Sequence, residues 1–76
     1  MVIVCLSGDQ WIKLEPHLSE EGLRTNSTED EAFPMLDCRE IPDEITYEKV
    51  LEIAKTHCPE LVQDIEQHKR IIDAYQ

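Results

Sequence analysis

The sequence predicts a small α+β domain in which an antiparallel sheet packs on two C-terminal helices in two layers. Three observations lead to this fold class. Residues 2–15 are strongly apolar around one Gly-Asp pair, and the C-terminal part repeats apolar side chains at helical spacing. The chain has 76 residues, enough for one domain. We therefore expect residues 1–76 to form a single small acidic domain.

The first predicted element is an N-terminal β-hairpin whose turn lies at residues 8–9. Pairing across this turn sets Ile3 and Cys5 beside Ile12 and Leu14, so that one face of the hairpin is wholly apolar. Glycine at the first central position suits a type II′ turn. The hairpin is thus expected to supply half of the core.

The alternative to the hairpin is a strand-to-helix turn, with a helix that starts at Trp11. Pro16 would then lie in the second turn of that helix, where proline costs about 3 kcal/mol. Gly8 is also the single glycine of this stretch, whereas phosphate-binding loops need further glycines. The hairpin is the favoured interpretation, and a phosphate site is not predicted.

The middle of the chain is predicted to contain little regular structure. Residues 16–22 begin with proline and end with glycine, which suits a short helix. Residues 24–32 are polar and acidic without periodicity, which indicates a mobile loop. Residues 33–41 are expected to form a third strand that directs Leu36 and Cys38 to one face.

Two helices are predicted at the C-terminal end. Thr46 is expected to cap the first helix, with Ile45 packed onto Val50. Pro59 would end that helix and begin the second, which continues to Tyr75. The predicted apolar stripes are Tyr47, Val50, Leu51, Ala54 and Cys58 in the first helix, and Leu61, Ile65, His68, Ile72 and Tyr75 in the second.

The cysteines are Cys5, Cys38 and Cys58. An odd number and the absence of a signal-peptide pattern argue against a disulfide framework, so we expect three reduced thiols in a cytoplasmic protein. A contact between Cys5 and Cys38 across the sheet remains an alternative, because both lie on the predicted core face. Structural zinc sites use cysteines only a few residues apart, so neither a metal nor another cofactor is predicted.

The charge is strongly acidic, with 17 acidic against 7 basic residues and a net charge of −10. Residues 15–48 contain eleven acidic residues against two arginines, a net charge of −9. Such a chain repels nucleic acid and anionic membranes, and it attracts basic protein surfaces. No segment has the roughly 20 apolar residues of a membrane helix.

The candidate partner-binding site consists of two acidic clusters and one aromatic residue. The acidic residues are Glu29, Asp30 and Glu31, followed by Glu40, Asp43 and Glu44. Trp11, on the mixed face of the hairpin, is either an apolar anchor for a partner or a cover for the core. The structural alternative for the acidic residues is a solvated loop and the favourable first turn of a helix.

No catalytic residues are predicted. His57 and Cys58 are adjacent, but successive side chains of a helix point about 100° apart, so they do not form a nucleophile–base couple. The numerous carboxylates lie in polar surroundings, without the burial that raises a catalytic pKa. We therefore expect a binding protein rather than an enzyme.

Two stretches together resemble a family of adaptors. "VIVCLSGDQWIKLE" followed by "CREIPDEITYEKVLEIAKTH" is similar to the N-terminal half of the BTB/POZ family of elongin-C-like proteins. The resemblance implies an opening hairpin, and a third strand that leads into a helix. It covers residues 2–57 at most. The middle helices of that family would have to fit within residues 16–32, and its later helices have no counterpart in residues 59–76.

The leading hypothesis is a non-enzymatic, acidic protein-binding module that inhibits a basic, nucleic-acid-handling partner such as a nuclease. Carboxylates along a surface can imitate a row of phosphates. Small acidic inhibitors of the phage anti-defence or antitoxin type offer an analogy in size and charge. The alternatives are an adaptor that binds through the sheet edge and Trp11, and a thiol or metal protein that uses Cys38 and Cys58.

Overall fold

A computed structural model describes residues 1–28 and 35–71 of the chain. The fold is α+β, as predicted, with a four-stranded antiparallel sheet and helices on one of its faces. A 3-10 turn, Pro59–Leu61, precedes the third helix. The strands are β1 (Val2–Leu6), β2 (Asn26–Thr28), β3 (Asp37–Ile41) and β4 (Lys69–Ile71), and the helices are α1 (Gly8–Glu20), α2 (Glu44–His57) and α3 (Val62–Gln67).

The sheet has the strand order β2-β3-β1-β4, so β1 lies inside the sheet and pairs on both edges. Its register sets Val2 opposite Ile41 of β3 and opposite Ile71 of β4. The short strands β2 and β4 are the two edges. Both partners of the first strand therefore come from distant parts of the sequence.

Side chains on both faces of β1 are buried. Val2, Val4 and Leu6 point towards the helices and enter the main core. Ile3 and Cys5 point to the other face, where they form a second, smaller cluster with Cys38 and Leu36. A central strand that is buried on both faces is expected to be apolar throughout rather than alternating, and this is the composition of "VIVCL".

The predicted N-terminal hairpin is wrong, and the strand-to-helix turn is the observed structure. Ser7 caps α1: its hydroxyl accepts a hydrogen bond from the Gln10 backbone N–H, and the Gln10 side chain accepts one from the Ser7 backbone N–H. This reciprocal capping box satisfies N–H groups of the first turn. The apolar residues after the turn pair with no strand. Instead, Trp11, Leu14 and Leu18 form the buried stripe of a helix, and Ile12 is 71% exposed.

Pro16 lies inside α1 rather than ending a hairpin strand. Proline removes the bond to the carbonyl four residues earlier, which belongs to Ile12. Both residues are on the exposed side of the helix, where water can hydrate that carbonyl. The predicted short helix at 16–22 is thus the second half of a longer one. Gly22 follows its end with a φ of 72°, a conformation that favours glycine.

The C-terminal half departs from the predicted helix bounds. The cap of α2 is Asp43 rather than Thr46, because the Asp43 carboxylate accepts a hydrogen bond from the Thr46 N–H. Ile45 is 72% exposed, so it does not form the predicted hydrophobic staple with Val50. The second predicted helix ends at Gln67, and the chain then forms β4. The predicted helical stripe is therefore wrong for residues 68–71. Its remaining positions, 72–76, lie outside the described residues.

The acidic loop predicted at 24–32 is described only in part. Residues 26–28 form β2, which pairs with β3. The remainder of the predicted loop from residue 29 lies outside the described residues. The third strand, predicted over residues 33–41, is confirmed in its face and over its last five residues, whereas residues 35 and 36 are not part of it and residues 33 and 34 lie outside the described residues. It spans Asp37–Ile41, and Leu36 and Cys38 belong to the same apolar cluster.

A disulfide bond joins Cys5 and Cys38, so the prediction of three reduced thiols is wrong. The two residues are directly opposite each other in the β1–β3 ladder, with their Cα atoms 4.0 Å apart. The cross-sheet contact between them was the correct alternative. Cys58 is free and buried in the main core. Because two of the three cysteines are bonded to each other, the cysteines give no support to a cytoplasmic location.

The disulfide is expected to stabilise the fold by restricting the unfolded chain. The cysteines are 33 residues apart, and the loop-entropy relation gives about 3 to 4 kcal/mol for such a loop. The double variant Cys5→Ser/Cys38→Ser should lose about this free energy of unfolding in guanidinium denaturation. Reductant should lower the midpoint of the wild-type chain and leave that of the double variant unchanged. Equal midpoints for wild type with and without reductant would contradict the prediction.

Candidate partner-binding surface

Three exposed glutamates lie within electrostatic range of the Tyr47 hydroxyl, on two helices that contact each other: Glu44 and Glu48 of α2, and Glu66 of α3. We call them the acidic helix face. Glu44 and Glu48 are four residues apart and so share one side of their helix. The charges of all three act on the Tyr47 hydroxyl: burial raises the pKa of Tyr47, and the negative charges of Glu66, Glu48 and Glu44 raise it further. The helix packing thus brings together carboxylates that are far apart in the sequence.

Lys69 of β4, a residue of the same chain, contacts the acidic helix face. Its ammonium lies 3.0 Å from Oε2 of Glu44 and 4.1 Å from the centroid of the Tyr47 ring. The contact combines an ion pair with a cation–π interaction. It neutralises one of the three carboxylates, so that Glu48 and Glu66 contribute the excess of negative charge.

The second predicted acidic cluster is divided by the fold. Glu40 lies opposite Ile3 in the β1–β3 ladder, and Ile3 belongs to the face that carries no helices. Asp43 caps α2, and Glu44 begins that helix and faces Lys69. The structure thus assigns Asp43 and Glu44 local structural contacts and separates Glu40 from them. Their role in binding stays a prediction.

The first predicted acidic cluster, Glu29, Asp30 and Glu31, lies outside the described residues. Its contribution to partner binding also stays a prediction. The candidate surface described above therefore consists of different residues from those expected, apart from Glu44.

Trp11 is part of the core and not an exposed anchor. Only 1% of it is exposed, and its indole N–H donates a hydrogen bond to the Asp37 carbonyl at 2.6 Å. The guanidinium of Arg39 lies 4.9 Å from the ring centroid and forms salt bridges with Glu15 and Asp37. These contacts tie α1 to β3. An interface role for Trp11 would require the core to open.

Cys38 and Cys58, the two residues of the alternative thiol or metal hypothesis, lie on opposite faces of the sheet. Cys38 is bonded to Cys5 on one face of the sheet, and Cys58 is buried with the helices on the other. Burial raises the pKa of the Cys58 thiol, the nearby charge of Glu60 raises it further, and Lys13 opposes the effect. Within residues 1–28 and 35–71, no three His, Cys, Asp or Glu side chains converge to hold a metal ion.

His57 stacks on His17 rather than pairing with the adjacent Cys58. The ring centroids are 4.1 Å apart and the ring planes differ by 6°. The Cys58 thiol instead donates a weak hydrogen bond to the Lys13 carbonyl at 3.7 Å. A surface groove of about 390 Å³ lies beside this contact, lined by Glu21, Leu23, Lys49, Glu52, Ile53, Thr56 and His57. Its polar residues carry charges of both signs.

The helices that the structure describes are all too short or too polar to cross a membrane. The comparisons with known proteins are negative: no family model, no curated protein and no solved structure matches this chain. The resemblance to elongin-C-like adaptors rested on an opening hairpin, and residues 8–20 form a helix instead. The function must therefore be inferred from the surface itself.

Two features of the structure have local signals in the sequence that the predictions did not use. Ser7 and Gln10 have the spacing of a capping box, which signals a helix start immediately after the first strand. Glu44 and Glu48 have the i,i+4 spacing of one helix face. No sequence signal links them to Glu66, because this proximity depends on how α3 packs beside α2.

Replacing Trp11 by phenylalanine should lower the free energy of unfolding by about 2 to 4 kcal/mol. The change removes the hydrogen bond to the Asp37 carbonyl and leaves part of the buried volume unfilled. Chemical denaturation of Trp11→Phe can be compared with Ile12→Ala, a change at the exposed neighbour that should cost about 0.5 kcal/mol or less. Similar losses in both variants would show that Trp11 is not a core residue.

The Asp43 cap should make stability depend on pH. The Thr46 N–H donates to the Asp43 carboxylate and holds the pKa of this carboxyl below its ordinary value of 3.8. The stabilisation is therefore fully present above the unfolded-state pKa and is lost as pH falls through the folded-state pKa.

Asparagine also caps helices but does not titrate. The difference in denaturation midpoint between wild type and Asp43→Asn should be constant at pH 5 and above, and it should change as pH falls below 3.8. A difference that is the same at every pH would exclude a contribution from the Asp43 charge.

Proposed function

We propose that the chain is a non-enzymatic, acidic protein-binding module that inhibits a basic partner. The observation that carries the proposal is the acidic helix face, where Glu48 and Glu66 form no salt bridge within residues 1–28 and 35–71 and lie near the Glu44–Lys69 pair. Opposite charge on a partner would speed its encounter with this surface and select against acidic proteins. The net charge of −10 acts in the same direction over longer distances.

The partner class follows from charge and size. A basic surface is characteristic of proteins that handle nucleic acid, and a row of carboxylates occupies such a surface in place of phosphates. A chain of 76 residues suits inhibition by blocking a surface rather than by catalysis. We therefore propose a nuclease or another nucleic-acid-binding protein as the partner, in the manner of phage anti-defence proteins and antitoxins. The proposed site of action is the cytoplasm, where such partners work.

Neutralising the acidic helix face should weaken capture of the partner. In pull-downs from the native host, Glu48→Gln/Glu66→Gln should capture less partner than wild type at low salt, and high salt should reduce the difference. Glu20→Gln/Glu21→Gln removes two charges from exposed positions at the C-terminal end of α1 and is the matched control. Equal loss of capture in both double variants would show that net charge alone, and not the acidic helix face, determines capture.

Charge reversal at residues 29–31 tests the acidic cluster that the sequence predicted. Slower association with a flatter salt dependence would assign that cluster to the interface. Association of this variant at the wild-type rate would remove residues 29–31 from the proposed site. Recovery of the partner as a protein without basic character, by mass spectrometry, would contradict the proposed function as a whole.

A further inference from the structure

Two exposed isoleucines adjoin the acidic helix face. Few large apolar side chains are exposed among the described residues: Met1, Ile12, Met35, Ile45 and Ile71. Ile45 is 72% exposed at the start of α2, and Ile71 is 65% exposed at the end of β4. Neither side chain contributes to the main core.

The fold brings these two isoleucines to the same end of the sheet. Ile71 lies opposite Val2, and Val2 also lies opposite Ile41, the last residue of β3. The chain continues from Ile41 into α2 after only two residues, so Ile45 lies near this rung of the ladder. Met1, 41% exposed, precedes Val2 at the same end.

The Glu44–Lys69 ion pair connects the isoleucines to the carboxylates. Glu44 precedes Ile45 in the chain, and Lys69 points to the same side of β4 as Ile71, because residues two apart in a strand share a face. The 3.0 Å contact between Glu44 and Lys69 therefore holds the start of α2 against β4. This ion pair therefore joins the two elements that carry Ile45 and Ile71.

We propose, as an extension that rests on the proposed function, that Ile45 and Ile71 are the apolar anchors of the partner-binding surface. The partner segment that fits is amphipathic and basic. Its apolar side chains pack on the two isoleucines, while its lysines and arginines face Glu48 and Glu66. Such a division, with an apolar centre and a charged rim, is common in protein interfaces.

Charge complementarity selects this occupant over a second copy of the chain. Two copies docked through this surface would bring Glu48 and Glu66 of one against the same carboxylates of the other, and the whole chains carry −10 each. A basic segment gains from every charge that repels a second copy. The isoleucines alone would suit either occupant, and the surrounding carboxylates decide between them.

The test uses two synthetic peptides of about 18 residues, or five helical turns, with equal charge. One has leucine along one helical face and lysine along the other, and its counterpart has serine in place of leucine. Fluorescence anisotropy gives the affinity of each peptide for the full chain. The leucine peptide should bind wild type at least about tenfold more tightly than the serine peptide does.

The decisive variant is Ile45→Thr/Ile71→Thr, which keeps the branched side chains but makes them polar. It should weaken binding of the leucine peptide about tenfold and leave the serine peptide unaffected. Ile12→Thr is the matched control, because Ile12 is 71% exposed on α1, and it should bind like wild type. Denaturation midpoints confirm that the variants are folded.

The outcomes separate this inference from the proposed function. Equal affinity for both peptides, or equal effects of Ile45→Thr/Ile71→Thr and Ile12→Thr, would overturn the isoleucine anchors while leaving charge-driven binding in place. Failure of both peptides to bind at low salt would overturn the proposed function itself. Sedimentation in which wild type self-associates and Ile45→Thr/Ile71→Thr does not would assign the surface to a second copy and overturn the inference.

Discussion

The structure depends on the burial of β1 on both of its faces. Its five residues are all buried, three against the helices and two against the second cluster. A strand in this position needs hydrogen-bonding partners on both edges, because unpaired backbone groups cannot be left in an apolar interior. The partners are β3 and β4, so the sheet closes only when both later strands reach β1. The disulfide secures one of these two pairings.

The same constraint explains where the acidic residues lie. Helices occupy one face of the sheet, so the outer sides of α2 and α3 face solvent and can carry charge without a desolvation cost. Acidic side chains at the start of α2 also complement the helix dipole and satisfy its first N–H groups. Residues that stabilise the start of α2 therefore lie next to residues that are available for binding. Asp43 serves the helix, while Glu48 and Glu66 have no such local requirement.

The candidate site was only partly predictable. Net charge and the position of Glu44 followed directly from composition and from the helical pattern of residues 44–57. Trp11 was ambiguous, because one tryptophan fits a core or an interface equally well until its neighbours are known. The contribution of Glu66 and the exposure of Ile71 depend on where α3 ends and β4 begins. The helical spacing of the C-terminal residues suggested a continuous helix and concealed that boundary.

The sequence by itself determined the α+β class, the acidic character, the third strand and the α2 helix, because local periodicity and composition encode these features. It also contained the capping box at Ser7, a local signal for the start of α1. Tertiary structure decided the strand order, the Cys5–Cys38 bond and the place of Trp11 in the core. These depend on contacts between residues far apart in the chain, and a pattern read along one segment carries no information about which distant segment will cover it.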